Sequence, residues 1–269
     1  MKGLKIVVLA KQVPDTRNVG KDAMKADGTV NRAALPAIFN PEDLNALEQA
    51  LRIKDKIEGT TVHILTMGPG RAAEIIREAM YRGADGGYLL SDRAFAGSDT
   101  LATSYALACA LRNLQTDLLI CGRQAIDGDT AQVGPEMAEH LGIPQITGAL
   151  KIDYADGKFV VVRENESSVQ TLACAAPLLV TVTRAEKEPR FASIKGKMKA
   201  RKAAIPTLTV ADLAIDAKLV GLSGSPTKVK KVFTPEVPVV KSEIINEEDI
   251  DKAVDMLFDK LVEAKIITR

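Results

Sequence analysis

Residues 117–134 (DLLICGRQAIDGDTAQVG) combine small residues, carboxylates and a possible helix start in a pattern that could bind a phosphate. An apolar run at 118–120 is typical of a strand buried on both faces of a parallel sheet. Gly122, Gly128, Asp127 and Asp129 follow it, with Thr130 as the expected N-cap of a helix that contains Gly134. Glycines let a ligand approach the backbone, and the free N–H groups of a helix start favour an anion. An ordinary polar loop is the alternative interpretation.

A second loop of the same kind, residues 97–100 (GSDT), also lies between a predicted strand and a predicted helix. Loops that follow parallel strands meet at one edge of the sheet. Two such loops therefore predict a nucleotide site at that edge.

Other chemistries have weaker support. Residues 68–73 (GPGRAA) match the G-x-G-x-x-A form of a dinucleotide site, but they follow the second strand, and Asp92 is a poor match for the acidic partner. A free-standing Rossmann dehydrogenase is therefore disfavoured. His63 and His140 have no nucleophile motif nearby and are interpreted as structural. Neither a Walker lysine loop nor metal-ligand spacing is present, so we predict no metal site and no catalytic residue.

The elements that must position these loops alternate through the first half of the chain. Apolar patterns predict strands at 5–10, 61–66, 87–90 and 118–121 and helices at 41–57, 71–82, 100–114 and up to Gly142, with Asn40 as an N-cap. The third helix is expected to turn Leu101, Tyr105, Ala108 and Leu111 inward. This βαβ repetition predicts an α/β fold with a doubly wound, mostly parallel, Rossmann-like sheet.

The pattern changes after residue 150. Strands at 150–153, 158–164 and 169–174 predict a small antiparallel meander within 150–175, and 177–183 returns to the main sheet. A Pro-containing arm at 206–242 and an amphipathic helix at 247–264 need a partner surface beneath them. We therefore predict a nucleotide-binding domain at 1–205, with a docking loop at 184–203, and a C-terminal arm and helix at 206–269.

Composition limits the function classes. The 269 residues are 46% hydrophobic and 26% charged, with a formal net charge of +1 and only 4% aromatic residues, which disfavours nucleic acid as a partner. No apolar run reaches the length of a membrane span, and the N-terminus is interpreted as a strand rather than a signal peptide. Cys109, Cys121 and Cys174 fit reduced thiols, so a cytoplasmic location is expected.

Residues 189–194 (PRFASI) place apolar side chains beside the basic run 195–202 (KGKMKARK). A solvated face is the default interpretation of such a run. The apolar neighbours favour a protein-docking loop, in which apolar anchors supply affinity and charge steers encounter.

Several motifs in order resemble the beta subunit of electron-transfer flavoproteins. They are 10–13 (AKQV), Asn40-Pro41, 66–69 (TMGP), 122–127 (GRQAID) continuing to Gln132 and Gly134, and 188–191 (EPRF) leading into 198–200 (MKA). The resemblance covers nearly the whole chain.

The resemblance implies a heterodimer with an alpha subunit that carries electrons between a dehydrogenase and a redox partner. In simple carriers of the family the beta subunit holds AMP as a structural ligand, whereas in the electron-bifurcating class it holds FAD that takes a hydride from NADH. Residues 97–103 (GSDTLAT) resemble the loop of the bifurcating class, so FAD, with NAD(H) as substrate, is expected and AMP is the alternative. The implied partners are an acyl-CoA dehydrogenase or a related flavin dehydrogenase and ferredoxin or flavodoxin, and NADH is oxidised only within the complex.

The cofactor-binding residues implied by the resemblance and by the loops are Leu9, Ala10, Lys11, Asn40, Pro41, Glu42, Asp43, Thr66, Met67, Gly68, Gly97, Ser98, Asp99, Thr100, Cys121, Gly122, Arg123, Gln124, Ala125, Ile126, Asp127, Gly128, Asp129, Thr130, Ala131, Gln132, Val133 and Gly134. The implied dehydrogenase-docking residues are Arg190, Phe191, Ile194, Lys195 and Met198.

Overall fold

A computed structural model describes residues 3–15, 36–184, 188–228, 230 and 242–268. The chain divides into two compact units, residues 1–231 and residues 232–269. The sequence-based boundary at 205/206 therefore falls inside the first unit.

In the described residues, the first unit is built on a nine-stranded sheet and a separate pair of short strands. The strands span β1 Lys5–Leu9, β2 Gln12–Pro14, β3 Ala37–Phe39, β4 Thr61–Met67, β5 Gly86–Leu90, β6 Leu118–Gly122, β7 Gln145–Ala155, β8 Lys158–Glu164, β9 Val169–Cys174, β10 Leu178–Val182 and β11 Thr207–Leu208. The large sheet has the order β11-β5-β4-β1-β6-β10-β7-β8-β9. Its strands from β11 to β7 are parallel, and β8 and β9 continue it antiparallel. The prediction of a doubly wound, mostly parallel α/β fold is confirmed.

Helices cover both faces of this sheet. The helices span α1 Pro41–Lys56, α2 Ala73–Arg82, α3 Thr100–Leu111, α4 Val133–Leu141, α5 Ile194–Lys202 and α6 Gly221–Gly224 in the first unit, and α7 Ile250–Glu263 in the second. Apolar side chains of α1, α2 and α5 pack with one face of the strands, and those of α3 and α4 pack with the other. Alternate residues of β1 and β6 enter the two cores, as expected for strands buried on both sides.

Helix α3 confirms the predicted inward face in part, since Ala108 and Leu111 are buried as expected. Leu101, expected inside, is 42% exposed, whereas Ala102, Ala106 and Ala110 are buried. The apolar residues of this helix lie all around its circumference, so their spacing alone does not select a buried face. The small alanines face inward because they allow the helix to approach the sheet closely.

The meander is a continuation of the main sheet. Its first strand, β7, begins at Gln145 rather than at 150, because its start pairs in parallel with Leu179–Val182 of β10 before the strand turns to β8. Asp156 and Gly157 adopt left-handed conformations at the β7–β8 turn, as two-residue hairpin loops require.

Two further features were not predicted from sequence. Strands β2 and β3 form a small antiparallel pair beside the end of β1. The first part of the proposed arm also has regular structure, since β11 extends the sheet next to β5 and α6 follows.

The second unit contains α7, which starts after Asp249, whose side chain accepts hydrogen bonds from the Asp251 and Lys252 N–H groups. Its apolar residues Ile250, Val254, Leu257 and Phe258 are exposed in the single chain. Among the described residues, no helix has the length and apolarity that crossing a membrane requires.

Candidate functional site

A cavity of about 550 Å³ opens at the carboxyl edge of the parallel strands. Strand β1 lies between β4 and β6. The strands of this sheet that follow β1 in the chain, β4 and β5, are added on one side of it, and β6 is then added on the other side, so the strand order reverses between β1 and β6. Such a switch point leaves a crevice beyond the strand ends, where ligands of open α/β sheets bind. Leu9–Lys11 at the end of β1 and the segment after β6 both line the cavity. The cavity volume is in the range of small-molecule sites.

The start of α1 holds the loop after β6. The Asn40 side-chain amide donates to the Gln124 carbonyl (2.9 Å), and its Oδ1 accepts the Ile126 N–H (3.2 Å). Glu42 Oε2 accepts the Gln124 N–H (2.8 Å). Asn40 is the N-cap residue of α1, as predicted, but its side chain makes no capping hydrogen bond. The Asn40 side chain binds the loop instead, because the N–H and carbonyl groups of the loop need hydrogen-bond partners.

Asp43 joins the ends of β1 and β6. Its Oδ2 accepts the Lys11 N–H (2.8 Å) and its Oδ1 accepts the Gly122 N–H (2.9 Å). Burial raises the pKa of Asp43 to about 7, an effect that these two hydrogen bonds only partly offset. A Cβ on Gly122 would lie 2.6 Å from Asp43 Oδ1, so this close approach requires glycine.

The loop between β6 and α4 lines the cavity and contains backbone N–H groups that are unpaired within the described residues. Asp129 and Ala131 have left-handed backbones, a conformation that can turn successive N–H groups towards an anion. Within the described part of the chain, the N–H groups of residues 130–132 have no hydrogen-bond partner, and those of Val133 and Gly134 are in the first turn of α4. Helix α4 starts at Val133 after Gln132, so the prediction of Thr130 as N-cap is wrong.

Charges along this loop are compensated locally. The Asp127 side chain is 6% exposed and accepts a hydrogen bond from Lys11 Nζ at 2.7 Å. A Cβ on Gly128 would meet no atom within 4 Å, so the backbone there borders open space. A ligand can therefore approach the loop backbone without displacing a side chain.

The second predicted loop faces the first across the cavity. Gly97 has a φ of +76°, which favours glycine. Asp99 caps α3 by accepting the Ala102 N–H (3.0 Å). Thr100 Oγ1 lies 3.1 Å from Gln132 Oε1 and 3.2 Å from Glu136 Oε1, so its hydroxyl links this loop to the start of α4.

Most of the predicted cofactor-binding residues line this cavity. The exceptions are Pro41, Glu42, Thr66 and Ile126. Pro41 is the first residue of α1 and Thr66 is buried in β4. Glu42 binds the loop from α1, and Ile126 is the loop residue whose N–H donates to Asn40. Glu42 and Arg123 also border a second cavity near β7 and β8.

Several lining residues have no counterpart in the predicted set. They are Gln12, Val13, Pro14, Ala37, Leu65, Pro69, Arg71, Ala72, Phe95, Thr103 and Leu107. The 68–73 segment, weighed as a dinucleotide fingerprint, thus borders the same cavity through Gly68, Pro69, Arg71 and Ala72. Residues 70–72 form a 3₁₀ turn that leads directly into α2, as at an ordinary helix entry. No cluster of His, Cys, Asp and Glu in the described ranges could hold a metal ion.

The predicted docking residues form a separate exposed surface. Phe191, Ile194 and Met198 are 92%, 81% and 63% exposed, and Lys195 is exposed beside them. Arg190 instead fixes the segment to α1, pairing with Glu48 (Nε–Oε2 2.9 Å) and Asp55 (2.8 Å). Residues 185–187 of the proposed docking loop are outside the described residues.

Comparison with known proteins assigns the family. The family model for the electron transfer flavoprotein domain matches residues 27–213. The chain is 49% identical to the electron transfer flavoprotein subunit beta of Megasphaera elsdenii, covering 98% of this chain and 100% of that protein. The chain belongs to the electron transfer flavoprotein beta-subunit family.

Two other relatives are named for larger systems. The chain is 42% identical to the caffeyl-CoA reductase-Etf complex subunit CarD of Acetobacterium woodii, covering 98% of this chain and 100% of CarD. It is 42% identical to protein FixA of Azotobacter vinelandii, covering 91% and 89% of the two chains. Membership of the family assigns the chain to electron transfer, and a beta subunit implies an alpha subunit as its partner.

Proposed function

We propose that the chain is the FAD-binding beta subunit of an electron-bifurcating electron transfer flavoprotein, with the cofactor in the cavity at the switch point. The observation that carries this proposal is that two loops line one cavity. The loop 122–134 has unpaired N–H groups within the described residues, and the loop 97–100 is linked to it through Thr100. AMP needs a single phosphate cradle. The second loop extends the polar border beyond one phosphate, which favours the longer FAD.

The residues fit this ligand chemically. The N–H groups of residues 130–134 are placed to bind a diphosphate without a cation, because they are unpaired at a helix start. Lys11 offsets Asp127 rather than the ligand, so Arg123, which lines the cavity and is exposed, is the better candidate to stabilise an anionic reduced flavin. Bound FAD would supply the hydride and electron chemistry, and the chain would bind and orient it.

The names of relatives support a CoA-linked system. CarD belongs to a caffeyl-CoA reductase complex, and a protein of Anaerotignum propionicum that is 41% identical is named acryloyl-CoA reductase electron transfer subunit gamma. We therefore propose that this chain accepts hydride from NADH within its heterodimer, passing electrons to an acyl-CoA dehydrogenase or a related flavin dehydrogenase and to ferredoxin or flavodoxin.

Two surfaces are proposed for the protein partners. The exposed side chains Phe191, Ile194 and Met198, with Lys195 at their edge, form a rigid apolar anchor for the dehydrogenase, since α5 packs on α2 beneath them. The C-terminal region, 206–269, contributes the exposed apolar face of α7 to the alpha subunit. The domain at 1–205 then holds the cofactor.

The test is the cofactor content of the heterodimer purified with its alpha subunit. Two flavins per heterodimer, with bleaching of the flavin absorbance by NADH, are expected. One flavin plus one AMP would contradict the FAD assignment and indicate a simple carrier with a structural nucleotide. Two flavins that NADH does not bleach would contradict the bifurcating function alone.

A matched pair of variants tests the location. Gly128→Val places a branched side chain in the open space at the cavity edge and is expected to lower the bound cofactor. Gly70→Val is the control, because a Cβ there also meets nothing within 4 Å and Gly70 does not line the cavity. Equal cofactor content in both variants would contradict the proposed location.

A further inference from the structure

The segment 221–227 packs against the loop 97–100 through a dense set of hydrogen bonds. Asp99 Oδ2 accepts both the N–H (3.0 Å) and the hydroxyl (2.7 Å) of Thr227. The Asp99 N–H donates to Ser225 Oγ at 2.9 Å, and Ser225 is buried. The Gly221 N–H donates to Ser98 Oγ at 3.0 Å. More than 120 residues of sequence separate the two segments, so this contact fixes the loop from outside.

Close backbone contact accompanies these hydrogen bonds. A Cβ on Gly97 would lie 2.7 Å from the Leu222 side chain, and a Cβ on Gly221 would overlap the Ala94 carbonyl oxygen. Both glycines have positive φ, at +76° and +61°. Each side of the contact therefore depends on a residue without a side chain.

The contact occupies polar groups that sequence analysis assigned to a ligand. The Ser98 hydroxyl donates to the Phe95 carbonyl (2.8 Å) and accepts from Gly221. Both carboxylate oxygens of Asp99 are used, one for the α3 cap and the other for Thr227. A charged Asp99 would also repel a phosphate. These two side chains are thus placed to shape the loop, leaving Thr100 and the loop backbone on the cavity.

We propose that Ser225 and Thr227 are positioning residues, which hold the Gly97–Thr100 loop in the geometry that retains the cofactor. The inference rests on the proposed function, in which this cavity binds the nucleotide. In addition, the affinity for the cofactor depends on a segment near the end of the first unit. This segment lies outside the nucleotide-binding motifs. The Asp99 carboxylate transmits the effect because it joins Thr227 to the first turn of α3.

The experiment uses the purified heterodimer with the double variant Ser225→Ala/Thr227→Val. Hydrogen exchange of the amides at 97–103 should become faster, and cofactor affinity should fall about tenfold, the scale of a lost hydrogen bond to a charged group. Thr227→Ser in a Ser225 background should restore both values, because it returns the hydroxyl. Thr209→Val is the matched control, since Thr209 lies on the same arm but bonds Asp212.

Cofactor content of the unmodified heterodimer separates the two proposals. If it holds AMP instead of FAD, the FAD assignment fails, and the positioning role is judged by AMP affinity: a tenfold loss supports it and an unchanged affinity overturns it. With FAD bound, unchanged affinity in the double variant overturns the positioning role, whether or not exchange at 97–103 is faster. Faster exchange throughout β1 and β6 also overturns it, because the contact would then support the whole fold.

Discussion

Replacing Asp43 with asparagine should make the free energy of unfolding less dependent on pH. The Asp43 carboxyl is buried, and burial raises its pKa to about 7 from an ordinary value of 3.8. A carboxyl with a raised pKa stabilises the fold when protonated. Its contribution is complete below the unfolded pKa and is lost as the pH rises through the folded pKa.

The magnitude follows from the two pKa values. Each unit of pKa difference corresponds to about 1.4 kcal/mol, so between about pH 5 and pH 8 Asp43 should remove about 2.5 kcal/mol from the free energy of unfolding. The side chain introduced by Asp43→Asn cannot ionise, and like a protonated carboxyl it offers one good acceptor to the Lys11 and Gly122 N–H groups. The variant should therefore gain stability relative to the unmodified protein by that amount across this range.

Urea unfolding at several pH values measures this difference directly. Glu42, whose pKa burial also raises, is present in both proteins and largely cancels. Asp85→Asn is a contrasting control: although burial opposes it, hydrogen bonds from Lys54 and the Val62 N–H lower the pKa of Asp85. That variant should lose relative stability as the pH rises towards about 5 and then show a constant difference. A stability difference for Asp43→Asn that is constant between about pH 5 and pH 8, or that grows more unfavourable, would refute the neutral buried carboxyl.

Three further predictions concern the cavity and the docking surface. Gly122→Ala should lower the free energy of unfolding by about 3 kcal/mol, because its Cβ would overlap Asp43 and Glu42, whereas Gly70→Ala should change little; equal urea midpoints would contradict this. Arg123→Ala should shift the potential of the bound flavin to more negative values in spectroelectrochemical titration, and an unchanged potential would exclude that role. Ile194→Glu should slow electron exchange with the dehydrogenase while flavin content stays constant, and flavin loss would contradict a docking role.

The general position of the cavity could be predicted from sequence because its signals are local. An apolar run followed by glycines and carboxylates specifies a strand and a loop, as at 118–134, and alternation of such units specifies a parallel sheet. Parallel strands place their following loops at one edge, so the approach of 97–100 to 122–134 follows from the fold class.

What could not be predicted depends on contacts between distant residues. Asn40 follows the rule for an N-cap, yet its side chain binds Gln124 and Ile126, more than 80 residues away. The pattern of α3 did not select its buried face, because apolar residues lie all around it. The arm after residue 206 has little periodicity, and its described part, 206–228, is bound by distant side chains such as Asp92 and Asp99.

Side chains and backbone have different roles at this cavity. Side chains from α1 and the arm, among them Asn40, Asp43 and Thr227, bind the loops from behind and fix their shape. This leaves the N–H groups of residues 130–132 without partners within the described chain, in a loop that lines the cavity. Carboxylates can surround such a site because Lys11 neutralises Asp127 and burial raises the pKa of Asp43, which favours its protonated form. Anion binding then depends on a rigid backbone rather than on cationic side chains, so substitutions behind the loops should weaken the cofactor as much as those that touch it.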